Sequence, residues 1–237
     1  MWTILNSRIN SDTVDRILQE AADQARLRED RHFVTAGKSF FGNRVLAPER
    51  AELLNAIHRD IAAQIPFRDL FDVPSIDHAY LLFKSPGAPA TAIHQDRPFW
   101  VEKEPTPTQF TCWISLTRID AHNGALTLNP ASKVDPAKIG RFNTGGTLYP
   151  HRDFVYGADH SALAMETADA ERLAMAMTPT VAEAGQVIIF DGFEPHGSTD
   201  NTSGQSRLAL KIVYAEGKGR TDLMVSLDRL ADLAGSH

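Results

Sequence analysis

The chain has 237 residues, of which 43% are hydrophobic and 23% charged, with a formal net charge of −6. That length buries one substantial core, and the acid excess argues against a nucleic-acid backbone as main partner, which calls for clustered Lys and Arg. A single cysteine, Cys112, excludes a disulfide framework and a cysteine-based zinc site, and no apolar run reaches membrane-spanning length.

The start, MWTILNSRINSD, lacks the basic region and long apolar stretch of a signal peptide, so a cytoplasmic protein without membrane contact is expected. Ser11 or Asp12 is expected to cap a first helix, in which Val14, Ile17, Leu18, Ala21, Ala22 and Ala25 recur at helical spacing. HFVTAGKSFFGNRVL reads as an extended segment or hairpin around Gly42. A second helix starts near Pro48, a favoured first-turn residue, and lines up Leu53, Leu54, Ile57 and Ile61. Its His58 reads as a structural or surface histidine. Residues 1–75 therefore form a helical and extended support.

From residue 76 the texture changes to short strands with turn punctuation. IDHAYLLFK is a strand, SPGAPA a turn, TAIHQ and TQFTCWISL strands. ALTLN follows the DAHNG turn, and TVAEA, QVIIFD and RLALKIVYAE complete the set. The short connections imply antiparallel pairing and a β-sandwich or double-sheet jelly roll. The fold class is mainly β with flanking helices. Residues 135–180 interrupt the pattern with GRFNTGGTLYPHRDFVYG and a short helix around ADAERLAMAM, a length that suits a functional lid. A helix within 217–237 would close a single domain over 1–237, its core at 76–216.

TAIHQDRPFW places His94 and Asp96 one residue apart, hence on one face of a strand. Such a pair serves as a charge-paired surface dyad, a general base with its orienting partner, or two thirds of a metal site. His196 follows the QVIIFD strand, and Arg207 opens the last long strand. Two imidazoles and a carboxylate occupy one face of an octahedral ion and leave three positions open, the arrangement that suits Fe(II) in oxygen-activating enzymes. Arg207 would then pair with a carboxylate at the far end of a cosubstrate.

FKSPG ahead of IHQD, TCWISLTRIDAHNGALTLNPASK, AGQVIIFDGFEPHGSTDN and SRLALKIVY together resemble the phytanoyl-CoA dioxygenase-type family of Fe(II)- and 2-oxoglutarate-dependent oxygenases, over roughly residues 78–216. Where many relatives carry Pro-Gly-Ser-His after the NG strand, this chain has Asn129-Pro130-Ala131-Ser132-Lys133. The resemblance implies a double-stranded β-helix, a cupin-like jelly roll. It implies that His94, Asp96 and His196 hold iron, and that Arg207 and Ser198 receive the distal carboxylate of 2-oxoglutarate. Trp113 would pack against the cosubstrate, and Lys84 would help anchor the acid unless it is exposed at a strand end.

The implied reaction consumes dioxygen and oxidises a C–H bond of a small organic molecule. Hydroxylation is the common outcome, and desaturation, cyclisation and epimerisation are variants. Candidate substrate contacts are Phe40, Phe41, Arg44, Phe99, Trp100, Tyr149, His151, Arg152 and Tyr156. Two other readings stay open: a cupin-like metalloenzyme that does not use 2-oxoglutarate, and a non-catalytic binding module of the same fold.

Overall fold

The computed structural model describes residues 1–26, 36–39, 48–100, 109–141, 146–156, 160–217 and 225–234. In chain order its first elements are β1 (Trp2–Ile4), α1 (Ser11–Arg26), β2 (Ala36–Ser39), α2 (Pro48–Ala62) and α3 (Phe67–Leu70). The long strand β3 (Pro74–Lys84) leads to β4 (Thr91–His94), β5 (Gln109–Ser115) and β6 (Leu126–Leu128). Then come β7 (His151–Tyr156), β8 (His160–Met165), α4 (Thr167–Ala174) and β9 (Thr178–Pro179). The chain ends with β10 (Val187–Asp191), β11 (His196–Ser198), β12 (Arg207–Glu216), β13 (Val225–Ser226) and α5 (Leu227–Ala234).

The strands form two main sheets that face each other without closing into a barrel, and β7 and β8 pair in a separate two-stranded sheet. The larger runs β1-β10-β5-β12-β3-β13, with β2 also paired to β3, and the smaller runs β4-β11-β6-β9. All pairings between these strands are antiparallel, as the short connections predict. Strand β5 is buried at every position, because both of its faces are covered. Phe110, Cys112 and Ile114 join Leu53, Leu54, Ile57 and Ile61 of α2 in the outer core. On the opposite face Trp113 packs with Ile188, Phe190 and Ala209 of the large sheet and with Leu126 and Leu128 of the small one. Cys112 is a buried apolar filler, as its alternation with Trp113 implies.

Several local expectations differ from the structure. The chain opens with a strand, because Trp2 pairs beside Phe190 and sinks into the inner core. Helix α1 takes its cap from Asn10, whose Oδ1 accepts from the Asp12 N–H at 2.9 Å. Gly42 lies outside the described residues. His196–Ser198, which no sequence pattern marked as a strand, is a strand paired on both sides, by β4 and by β6. Tertiary pairing overrides the weak strand preference of Gly197 there; a Cβ would come within 2.8 Å of the Thr91 carbonyl. The strand expected at 180–184 shrinks to Thr178–Pro179 and one bridge from Ala182 to Ile119, since Val181 turns outward and stands 56% exposed. Within 135–180 the described residues form the β7–β8 hairpin and β9, which the pattern did not mark, together with α4, the short helix expected around ADAERLAMAM.

Candidate metal centre and cosubstrate pocket

His94 ends β4 and His196 begins β11, and the two are direct cross-strand partners. Their ring centroids lie 4.2 Å apart. Asp96 follows two residues after His94, and its Oδ1 is 3.8 Å from His196 Nε2. One ligand atom from each of His94, Asp96 and His196 falls within 4.8 Å of the others. The structure thus brings together the three residues singled out by the HxD pattern and the later histidine.

Each ligand is oriented by its other polar atoms. His94 Nδ1 lies 2.9 Å from the Ala92 carbonyl, and His196 Nδ1 lies 2.9 Å from the Glu194 carbonyl. A carbonyl only accepts, so both Nδ1 atoms carry the proton and both Nε2 lone pairs are free to bind an ion. Burial lowers both imidazole pKa values, that of His196 to about 3. Burial on its own would raise the Asp96 carboxyl, but Lys211 and the two imidazoles override it and hold the group far below the usual carboxylate range. Asp96 Oδ2 accepts from Thr111 Oγ1 at 2.8 Å, and Lys211 Nζ lies 2.9 Å from both oxygens. Two neutral imidazoles and one anionic oxygen converging on one point fit a divalent ion of the facial-triad kind.

The second cluster consists of buried cations. Arg207 and Lys84 are directly opposed between β12 and β3, and both are buried. Like charges in that position repel. Lys84 Nζ donates to Ser198 Oγ at 2.7 Å, and the Arg207 guanidinium carbon sits 5.3 Å from the centre of the Trp113 ring. Arg207 Nε and Nη1 are buried without a hydrogen-bond partner among the described residues. Burial lowers the Arg207 pKa to about 10; burial and the Arg207 charge lower that of Lys84 to about 7. An acid lodged between them would satisfy the orphaned donors and relieve both shifts. Lys84 is not exposed at the strand end, because Gly124, at φ +90°, lets its stem pass where a Cβ would collide with it.

Gln95, between His94 at the end of β4 and Asp96, is fully engaged. Its N–H donates to His151 Nε2 at 3.1 Å, its Oε1 accepts from Tyr149 N at 2.9 Å, and its Nε2 donates to the carbonyls of Thr147 and Phe193 at 2.8 and 2.5 Å. Tyr149 and His151 are therefore anchored beside the metal ligands, whereas Arg152 is exposed. Phe99 and Trp100 lie in a short 3-10 turn just after Asp96, and Tyr156 ends β7. Phe40, Phe41 and Arg44 lie outside the described residues. In the Asn129–Lys133 turn, Ser132 Oγ donates to Glu194 Oε1 at 2.6 Å, bracing the residue whose carbonyl holds His196.

Sequence reasoning missed Thr111, Lys211 and Gln95. Period-two alternation carried a signal for the first two, since Thr111 shares a face with Trp113 and Lys211 shares one with Arg207.

Residues 4–209 match the family described as Phytanoyl-CoA dioxygenase (PhyH). No curated protein sequence matches the chain. Among solved structures, the epimerase SnoN, in complex with Fe3+, alpha ketoglutarate and nogalamycin RO, superposes with a TM-score of 0.64 at 16% identity, covering 91% of this chain and 79% of its own. EvdO2 from Micromonospora carbonacea var. aurantiaca gives 0.65 at 18% identity, over 91% and 86%. EctD from S. alaskensis, with 2-oxoglutarate and 5-hydroxyectoine, gives 0.59 at 19% identity, over 92% and 73%. At such identities these likenesses establish a shared fold.

Proposed function

The chain belongs to the phytanoyl-CoA dioxygenase family of Fe(II)- and 2-oxoglutarate-dependent oxygenases, and from that premise we propose that it hydroxylates a small organic molecule in natural-product metabolism, with His94, Asp96 and His196 as the iron ligands. Desaturation, cyclisation and epimerisation are the alternatives that product analysis separates. SnoN and SnoK, an epimerase and a carbocyclase from nogalamycin biosynthesis, share the fold. The reading takes the chain as one oxygenase domain acting in the cytoplasm, with its first 75 residues as support. No helix among the described residues is long and apolar enough to cross a membrane.

The observation that carries the cosubstrate assignment is the opposition of Arg207 and Lys84, two buried cations with unpartnered Arg207 donors. Iron, when bound with 2-oxoglutarate and dioxygen, supplies oxidative decarboxylation of the keto acid coupled to oxidation of a C–H bond. The protein's part is to place the reactants. His94, Asp96 and His196 would hold the ion, whose remaining positions would be open to cosubstrate and oxygen. Arg207, Lys84 and Ser198 receive the distal carboxylate, with Trp113 as the wall behind the guanidinium. Phe190, whose ring centre lies 4.4 Å from that of His196, keeps water from the back of the ligand.

A cupin-like enzyme that does without 2-oxoglutarate would leave Arg207 with no acid to bind. Anaerobic addition of Fe(II) and 2-oxoglutarate should produce the weak visible band of the chelate, and admission of air should produce succinate. Metal uptake with neither band nor succinate would favour the cupin-like alternative.

A further inference from the structure

We propose that Lys211 receives an anionic group of the substrate, so that this enzyme oxidises a small organic acid. The inference rests on the reading of the site as an iron–2-oxoglutarate centre. Lys211 stands four positions beyond Arg207 on β12, and strand alternation gives Arg207, Ala209, Lys211 and Val213 a common inner face. Its side chain is 20% exposed, unlike the buried Lys84 and Arg207, so it can be reached from outside. Its partner is Asp96, at 2.9 Å from both oxygens. A metal ion held by Asp96 would take up part of that carboxylate and set a second cation beside the ammonium. The flexible four-carbon stem then lets Lys211 turn to another acceptor.

The charges of the loaded site point the same way. The metal dication with Lys84, Arg207 and Lys211 brings five formal positive charges. Asp96, the two carboxylates of 2-oxoglutarate and Asp200, whose charge acts on Lys84, bring four negative ones. A half-buried excess of that kind favours an anion as the next ligand.

An independent observation lies on the neighbouring strand. Gln109 shares the face of Thr111, two residues away on β5, and is 1% exposed, yet among the described residues neither its amide nitrogen nor its oxygen has a partner. It lies against Gly192, in the turn that leads to His196. Across from Gln109 and Thr111 stand Ala215 and Val213, small apolar residues packed apart from the two main cores. A cation that can be reached from outside and a buried amide two residues from Thr111, which touches Asp96, supply the donors that a compact acid beside the metal ligands would take.

The test uses the full chain, loaded anaerobically with Fe(II) and saturating 2-oxoglutarate, and titrated with butanoate, butyl phosphate and butanamide. Butanoate or butyl phosphate should shift the visible band of the chelate, and whichever acts identifies the acid as carboxylate or phosphate. Butanamide should not. Lys211→Met, given enough Fe(II) and 2-oxoglutarate to form its band, should show a response to the anion weakened by about tenfold or more, the loss of one charge-assisted hydrogen bond. Lys211→Arg should restore part of it, and Gln109→Leu should weaken it with the band intact. The proposal is overturned if butanamide acts as well as the anions, if no anion acts, or if Lys211→Met responds like the wild type. It is also overturned if Lys211→Met forms no band, because Lys211 would then serve only to hold Asp96 for the metal. A wild-type protein without the band would refute the iron–2-oxoglutarate reading itself, and this proposal with it.

Discussion

A buried cation without a counterion weakens a folded protein and strengthens the binding of whatever anion completes it. Lys84 and Arg207 stand in that relation, and opposite changes should follow when either is removed. Lys84→Met ends a like-charge opposition between paired strands and replaces a buried ammonium with an apolar chain of similar length. The cosubstrate-free variant should melt at a higher temperature than the wild type while its KM for 2-oxoglutarate rises. A lower melting temperature with an unchanged KM would mean that Lys84 serves mainly to brace Ser198. Arg207→Ala should cost about 2–5 kcal/mol of cosubstrate binding, by analogy with truncated buried charge pairs. At about 1.4 kcal/mol per decade that weakens binding by more than tenfold, with iron affinity far less affected. His94→Ala, Asp96→Ala and His196→Ala should each abolish both iron retention and turnover while far-ultraviolet circular dichroism stays native; a variant that keeps its iron would remove that residue from the triad. The triad was legible because its chemistry needs particular residue types in a particular order. Lys84 was harder to place: a lysine at a strand end is usually solvated, and its burial depends on Gly124 making room from a different turn.

At the scale of elements, strands read well wherever apolar runs had turn residues at both ends, as in β3, β5, β10 and β12. They read poorly where pairing came from partners distant in sequence. β1 has only three residues and owes its conformation to β10, while β11 contains a glycine and is held from both sides. The insert was the least legible part, since nothing local announces that its anchor is Gln95. That side chain and its N–H join Thr147, Tyr149, His151 and Phe193 to the segment bearing His94 and Asp96. Gln95→Leu keeps the bulk but strands the Thr147 and Phe193 carbonyls and the Tyr149 N–H, each at about 1–3 kcal/mol if it stays dry. The β7–β8 hairpin should come loose before the sheets do. Limited proteolysis should then cut within residues 146–166 well before global unfolding, and 2-oxoglutarate consumption without product should rise as the site loses its seal. Wild-type cleavage rates together with unchanged coupling would show that the hairpin docks by other contacts.

At the scale of the whole molecule, the large sheet has two differently built sides. Its inner face carries the site, and its outer face is sealed by helices over an aromatic cluster of Phe67, Phe71, Phe110 and Tyr214. His58 of α2 stands in that cluster, 4.8 Å from Phe67 and 5.8 Å from Tyr214 between ring centres. Its Nδ1 and the Tyr214 hydroxyl are buried without a partner among the described residues. Burial lowers the His58 pKa from 6.5 to about 4, and the sign of the consequence follows from proton linkage. Above pH 6.5 the imidazole is neutral in both states and adds no pH dependence. Between pH 6.5 and about 4 the unfolded chain binds a proton that the folded one refuses, so stability falls as the pH drops. Below about 4 the folded state accepts the proton as well, and this contribution levels off. His58→Leu removes the group and replaces an unsatisfied nitrogen with apolar surface, so it should be neutral or stabilising at pH 7. Chemical denaturation across that window should show the wild type losing ground to the variant as the pH falls. Other titrating groups, the metal ligands among them, act equally in both proteins and cancel in the difference. Parallel curves would mean that water reaches the ring and that the helical layer is no seal at that point.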